Sequence, residues 1–222
     1  MKISKETLEV LKNFSAINPN LVIKPGNKLS TIAEAKNVMA SAEVVETFPK
    51  EFGIYDLNEF LSVLSLTTDP ELEFTDDEVV IVDGNKTVKY RYADTSILTS
   101  PQKEVNMPDT DLTVSLTQEV ISNIRRAGSA LNHVVVSLQA DGTDVTIAVK
   151  DPANASANTY IESVGQSDHT DYDFQFLISN LKLIPGDYEV SVSSKLISHW
   201  KCINNNSVEY WIALEKNSTF NN

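Results

Sequence analysis

Apolar residues recur at helical spacing in three stretches of the chain. Leu8, Leu11 and Phe14 form one stripe, and Ser4 stands where an N-cap would open the helix Ser4 to Phe14. Leu57, Phe60, Leu61 and Leu64 follow the i, i+3, i+4, i+7 pattern, with Asp56 and Glu59 as a capping box. Val120, Ile124, Ala127 and Leu131 mark a third helix, which Ser115 with Gln118 is expected to cap. A fourth, short helical segment is expected over Ser179 to Leu183, stopped by Pro185-Gly186.

Between these stripes the chain reads as strands. Leu21 to Ile32 predicts a hairpin around Pro25-Gly26-Asn27, followed by strands at Ser41 to Phe48 and Phe52 to Tyr55. Leu72 to Phe74, Val79 to Val82 and Val88 to Tyr92 follow the second helix, the last two joined by Asp83-Gly84-Asn85. Thr99 to Asp111 is polar, carries Pro101 and Pro108, and breaks all periodicity, so it reads as a connector. Beyond it the plan returns. A hairpin (Val134 to Leu138, Asp141-Gly142, Val145 to Val149) precedes strands at Thr159 to Val164, Tyr172 to Ile178, Tyr188 to Val192 and Val208 to Leu214. The order of elements repeats at an offset of about 110 to 120 residues, the mark of an internal duplication. The expected class is α+β, with two similar domains, 1–108 and 109–222, each of antiparallel sheets and two helices.

Composition narrows the partners. The net charge of −13 excludes a protein that is basic all over, though not local basic stripes. Cys202 is the only cysteine, so neither an intrachain disulfide nor a Cys-rich zinc site is available, and a reducing compartment is expected. The opening MKISKETLEVLKNF has no apolar segment of the signal-peptide kind, and no apolar run is long enough to span a membrane. The tripeptides at Asn85, Asn154, Asn205 and Asn217 fit a glycosylation pattern and are read as ordinary surface turns.

Residues in catalytic or metal-binding arrangements are nearly absent. His133, His169 and His199 have no second His or Cys at ligand spacing. Ser167 to Asp173 is the densest polar cluster and could hold a cation through oxygens. It lacks the glycine and the terminal glutamate of a calcium loop. No phosphate-cradling or nucleophile-elbow motif occurs. Met39 and Met107 are read as packing residues first, and Trp200 and Trp211 as sheet residues. No catalytic constellation and no cofactor is expected. What remains is cationic: Lys5 and Lys12 on the first helix, Arg125 and Arg126 on the third, and Lys182 in the short segment. A solvated helix face explains any one pair, but the duplication places such pairs on equivalent helices of both halves.

Four segments, MKISKETLEVLKNFSAIN, IYDLNEFLSVLSLT, LKLIPGDYEV and YWIALEKNST, resemble the sliding clamps of T-even-type bacteriophages in the same order along the whole chain. Those proteins are processivity factors of the phage DNA polymerase. The resemblance implies a non-enzymatic two-domain subunit of the DNA clamp fold. Three copies would close a ring around duplex DNA, with helices lining the hole. It implies sequence-independent contact of Lys5, Lys12, Arg125, Arg126 and Lys182 with DNA. It implies DNA polymerase and a clamp loader as partners, in the cytoplasm of an infected bacterial host. It also implies that partner tails dock near the connector and the last long strand. The matching candidates are Val105, Met107 and Pro108, which are apolar in a polar linker, and Leu214. Two other readings stand beside it: a β-rich structural or carbohydrate-binding virion protein, and a metal-dependent hydrolase built on Asp168 to Asp173.

Overall fold

The computed structural model describes residues 1–204 and 207–221. The chain folds as two compact units, Met1–Glu104 and Val105–Asn222. The division falls inside the stretch read as a connector, four residues before the expected boundary of 108/109.

The first unit opens with helix α1 (Lys5–Ile17). Ser4 caps it by accepting from the Thr7 amide, and its buried stripe is Thr7, Val10, Leu11, Phe14 and Ile17. Leu8 stands half-exposed beside that stripe. Strands β1 (Leu21–Ile23), β2 (Gly26–Ile32), β3 (Val38–Phe48) and β4 (Phe52–Ile54) follow. The expected Leu21 to Ile32 hairpin does not form. β1 pairs with β4 and β2 with β3. Pro25, between them, has no amide to donate to a ladder, and Gly26 at φ 112° turns the chain from one pair to the other. Helix α2 (Leu57–Leu64) is capped by the Asp56 carboxylate, which accepts from the Asn58 and Glu59 amides, and it buries Leu57, Phe60 and Leu64. Strands β5 (Glu71–Phe74), β6 (Glu78–Asp83) and β7 (Lys86–Arg91) then form a three-stranded sheet in that order.

The second unit starts with a strand that the sequence reading passes over, β8 (Leu112–Leu116). Ser115 belongs to it and is exposed, so it cannot cap the helix. The cap of α3 (Gln118–Leu131) is Thr117, and the buried stripe is Ile121, Ile124 and Gly128, displaced from the one read in sequence. Next come β9 (Val135–Asp141), β10 (Asp144–Lys150), β11 (Tyr160–Gln166) and β12 (Tyr172–Leu177). The fourth helix is only a 3₁₀ turn, Ile178–Asn180. A segment that short, closed by Pro185, cannot propagate past helix nucleation. β13 (Tyr188–Ser193), β14 (Ile197–Cys202), β15 (Val208–Ala213) and the two-residue β16 (Thr219–Phe220) complete the unit.

The duplication extends to strand pairing. β10 joins β9 and β11, and β9 also joins β12, giving the order β11-β10-β9-β12. In the first unit the equivalent strands pair as β3-β2 and β1-β4, the same order with the β1–β2 ladder missing. β8 pairs with β13. In its place Met1 exchanges two backbone bonds with Leu72 of β5, at 2.7 and 2.9 Å. α1 packs against β2 and β3, and α3 against β9 and β10. Phe14, Phe60 and Phe174 are among the largest fully buried side chains.

The outer edge of β12 is covered by the tail Glu215 to Asn221. The Glu215 amide donates to Gln175 O (2.8 Å), the Gln175 amide to Ser218 Oγ (2.9 Å) and the Asn221 amide to Asp171 O (3.0 Å). Asn85 lies in the β6–β7 turn, Asn154 in an exposed loop and Asn217 in the tail; Asn205 lies outside the described residues.

Candidate functional site

Lys5 and Lys12 project from the exposed side of α1, opposite Val10 and Phe14. They flank a groove of about 340 Å³ between α1 and α2, floored by Leu8, Leu61, Leu64 and Leu72. Lys2 also lines it, paired with Asp69, and the sequence reading misses it. The Asp69 carboxylate raises the Lys2 ammonium above its ordinary value. α2 itself has no Lys or Arg and exposes Glu59.

The N-terminus of α1 is fixed by a carboxylate from β3. Glu46, 8% exposed, accepts from the Ser4 amide and from the Thr7 hydroxyl. Burial pushes its carboxyl up, but the bonds from Thr7 and Ser4 outweigh burial and hold it below the ordinary 4.5. A negative charge at a helix N-terminus is also favoured by the helix dipole. Lys5 and Lys12 therefore stand on a helix with a defined start and a defined face.

On α3, Arg125 and Arg126 are both exposed; Arg125 borders the buried stripe and lines a small cavity with Ile121, Ile184 and Pro185. They are held differently. Arg126 bonds Asn123 on its own helix. Arg125 donates from Nη2 to the carbonyl of Leu181, at 2.7 Å. Lys182 follows directly and is exposed between buried Leu181 and Leu183.

Val105, Met107 and Pro108 are half-buried, in a stretch without helix or strand. Just before them in the chain, Pro101 to Glu104 line a groove of about 280 Å³ with Lys24, Pro25, Lys28, Ser30 and Met39. Lys28 and Glu104 form an exposed ion pair at 3.0 Å across it. Leu214 has to be set apart: at 6% exposure it offers a partner no anchor, because β15 alternation carries it inward with Tyr210 and Ile212. The side chains that strand turns outward are Glu209 and Trp211. Trp211 stacks on His199 at 5.0 Å, and His199 Nε2 meets Glu209 at 3.1 Å.

The acidic cluster does not form a cation site. Asp173 is drawn into the sheet by the Ser137 hydroxyl, by Lys150 (2.9 Å) and by Gln175 (2.8 Å), while Asp171 bonds the Asn221 amide group. Among the described residues no three His, Cys, Asp or Glu side chains converge as metal ligands. No helix among them is long and apolar enough to cross a membrane.

The chain as a whole is similar to known proteins. The sliding clamp of Vibrio phage KVP40 is 34% identical over 222 residues, covering 97% of this chain and 99% of that one. The chain belongs to the sliding-clamp family. The sliding clamp of Enterobacteria phage T4 is 27% identical over 225 residues, 99% of both chains. A family of DNA polymerase processivity factors matches residues 4–99 of this clamp chain. The solved structure of A. fulgidus PCNA bound to the C-terminal region of FEN-1 is 15% identical. It superposes with a TM-score of 0.71 over 98% of both chains, which shows the clamp fold. Sliding clamps are processivity factors and not catalysts, so the reading as a hydrolase falls and the virion-protein reading finds no support. The relatives are phage proteins, and phage replication proteins act within the infected host cell.

Proposed function

We propose that three copies of this clamp chain close head to tail into a ring that surrounds duplex DNA and tethers the replicative polymerase. The duplicated unit carries this reading. Each half has an α-helix with two exposed cations, on a chain of net charge −13. Three chains of domains 1–108 and 109–222 give six similar units, and a heterologous contact that closes gives a ring. β7 and β11 stand at the ends of their sheets. β7 bears Lys86, Lys89 and Arg91, whereas β11 bears Glu162 and no cation. Pairing β7 of one copy with β11 of the next would extend both sheets.

Lys5, Lys12, Arg126 and Lys182 face the phosphates, with Arg125 beside them. Contacts to phosphate attract DNA without reading sequence, so the ring slides. The acidic remainder of the surface leaves DNA no competing site. Tethering raises the effective concentration of polymerase at the primer end. Partner tails, including those of polymerase and clamp loader, dock where Val105, Met107 and Pro108 follow the Met39 groove in the chain; that clamps take such tails is supported by the C-terminal region of FEN-1 bound to the A. fulgidus protein. The setting is the cytoplasm of the infected bacterium.

Sedimentation should give a mass near three times 24.6 kDa. Primer extension by the cognate polymerase and loader should give longer products with this chain than without it. A monomer at micromolar concentration, or products of unchanged length, would refute the proposal.

A further inference from the structure

We propose that Arg125 is a positioning residue: it braces the turn after β12 and so fixes the place from which Lys182 meets DNA. The consequence for DNA rests on the reading that α3 and this turn face the duplex.

The two units differ at this point. After β4 the first unit has α2, capped by Asp56. After β12 the second unit has one 3₁₀ turn, Ile178–Asn180, with no side-chain cap. Inside it the Leu181 amide donates to Ile178 O (3.1 Å) and the Lys182 amide to Asn180 O (2.8 Å). Two bonds of this kind hold a turn poorly. Side chains from the rest of the unit supply what the turn lacks.

α3 supplies two of the holds, one turn apart on one face. Gly128 leaves a notch that Ile178 fills; a Cβ there would lie 2.6 Å from Ile178 Cδ1. Arg125 closes the other end by donating to Leu181 O at 2.7 Å. A charged donor makes this bond about twice as strong as a neutral one. Further along, two tyrosines seize Ile184. The Tyr188 hydroxyl donates to its carbonyl (2.6 Å), and its amide donates to the Tyr210 hydroxyl (3.1 Å). Both rings are fully buried.

Lys182 thus lies between two pinned carbonyls, Leu181 and Ile184. Its neighbours Leu181 and Leu183 are 2% and 5% exposed, which turns Lys182 outward. The backbone beneath the lysine is fixed although no helix supports it. Arg125 carries the charge of a phosphate contact, but its geometry spends that charge on the carbonyl.

The test reads the brace without DNA first. The endoproteinase that cuts after lysine is applied to the full chain, and the Lys182–Leu183 cut is timed. Arg125→Ala should speed it about tenfold, the scale of one charge-assisted bond. Arg125→Lys should restore most of the protection, and Arg126→Ala should cut like the wild type. Retention of the loaded ring on circular DNA is then measured for Lys182→Ala in both backgrounds. The Lys182→Ala loss should shrink by at least half when Arg125 is already Ala. An unchanged cut in Arg125→Ala overturns the brace. Faster cutting with an equal Lys182→Ala loss in both backgrounds overturns the coupling. No Lys182→Ala loss even in the wild type overturns the DNA-facing reading instead.

Discussion

Glu46→Ala removes the acceptor at the start of α1. Thr7 is 1% exposed, so its hydroxyl loses its partner where water cannot replace it, at a cost of about 1–3 kcal/mol. The half-buried Ser4 amide can turn to water, which adds about 1 kcal/mol for the missing charged acceptor. The expected loss is about 3 kcal/mol, taken mainly by the first turn of α1. Glu46→Gln keeps one carbonyl acceptor and should lose about half as much. The chain has two compact units that need not unfold together, so hydrogen exchange at the α1 amides is the right readout. Acid gives an independent check. The folded carboxyl sits below 4.5, so its contribution is complete above that value and is lost as pH falls through 4.5 toward the folded value. The α1 amides of the wild type should lose protection over that range, and those of Glu46→Gln should not share the loss. Wild-type exchange in Glu46→Ala, or the same acid slope in Glu46→Gln, would refute the argument.

Neutralising Lys5, Lys12 and Arg126 together should shorten retention of the ring on DNA and flatten its salt dependence, by about 0.9 in log–log slope for each phosphate no longer neutralised. A slope equal to the wild type would remove these residues from the DNA path. Val105→Ser with Met107→Ser should weaken binding of a polymerase C-terminal peptide about tenfold, read by calorimetry, while sedimentation stays that of the wild type. Gly128→Ala places a Cβ 2.6 Å from Ile178 Cδ1 and 3.1 Å from the His133 carbonyl. It should cost about 1–3 kcal/mol, seen as a lower Tm for the second unit.

Where local chemistry alone decides, the sequence is readable. Ser4 and Asp56 cap the helices they announce, and the β6–β7 and β9–β10 turns fall at Gly84 and Gly142, both at positive φ. Where pairing decides, it misleads. Leu21 to Ile32 has the look of a hairpin, but only the rest of the fold shows that β4 and β3 are the partners. β8 is legible in principle: LTVSL alternates strictly, and it escapes notice because it abuts the connector. β14 hides its period because Ser198 shares its buried face with Trp200 and Cys202. Among site residues, exposure of Lys5, Lys12, Arg125 and Arg126 follows from the helix period, whereas Lys182 lies beyond the 3₁₀ turn and is exposed because buried Leu181 and Leu183 flank it. The Arg125 bond to Leu181 joins residues far apart in sequence, and no local pattern signals it.

The tail laid along β12 acts on the sheet as an end-cap acts on a growing polymer. A sheet with two open edges is a bifunctional monomer and can add strands at both ends without limit. Glu215 to Asn221 block one end of the β11-β10-β9-β12 sheet with backbone bonds and with Phe220 stacked 5.8 Å from Phe174. The sheet becomes close to monofunctional: the edge left on the tail side is the two-residue β16, and β11 is the long edge at which it can be extended. Trimming the tail should restore the second function, and with it fibres in place of a discrete assembly.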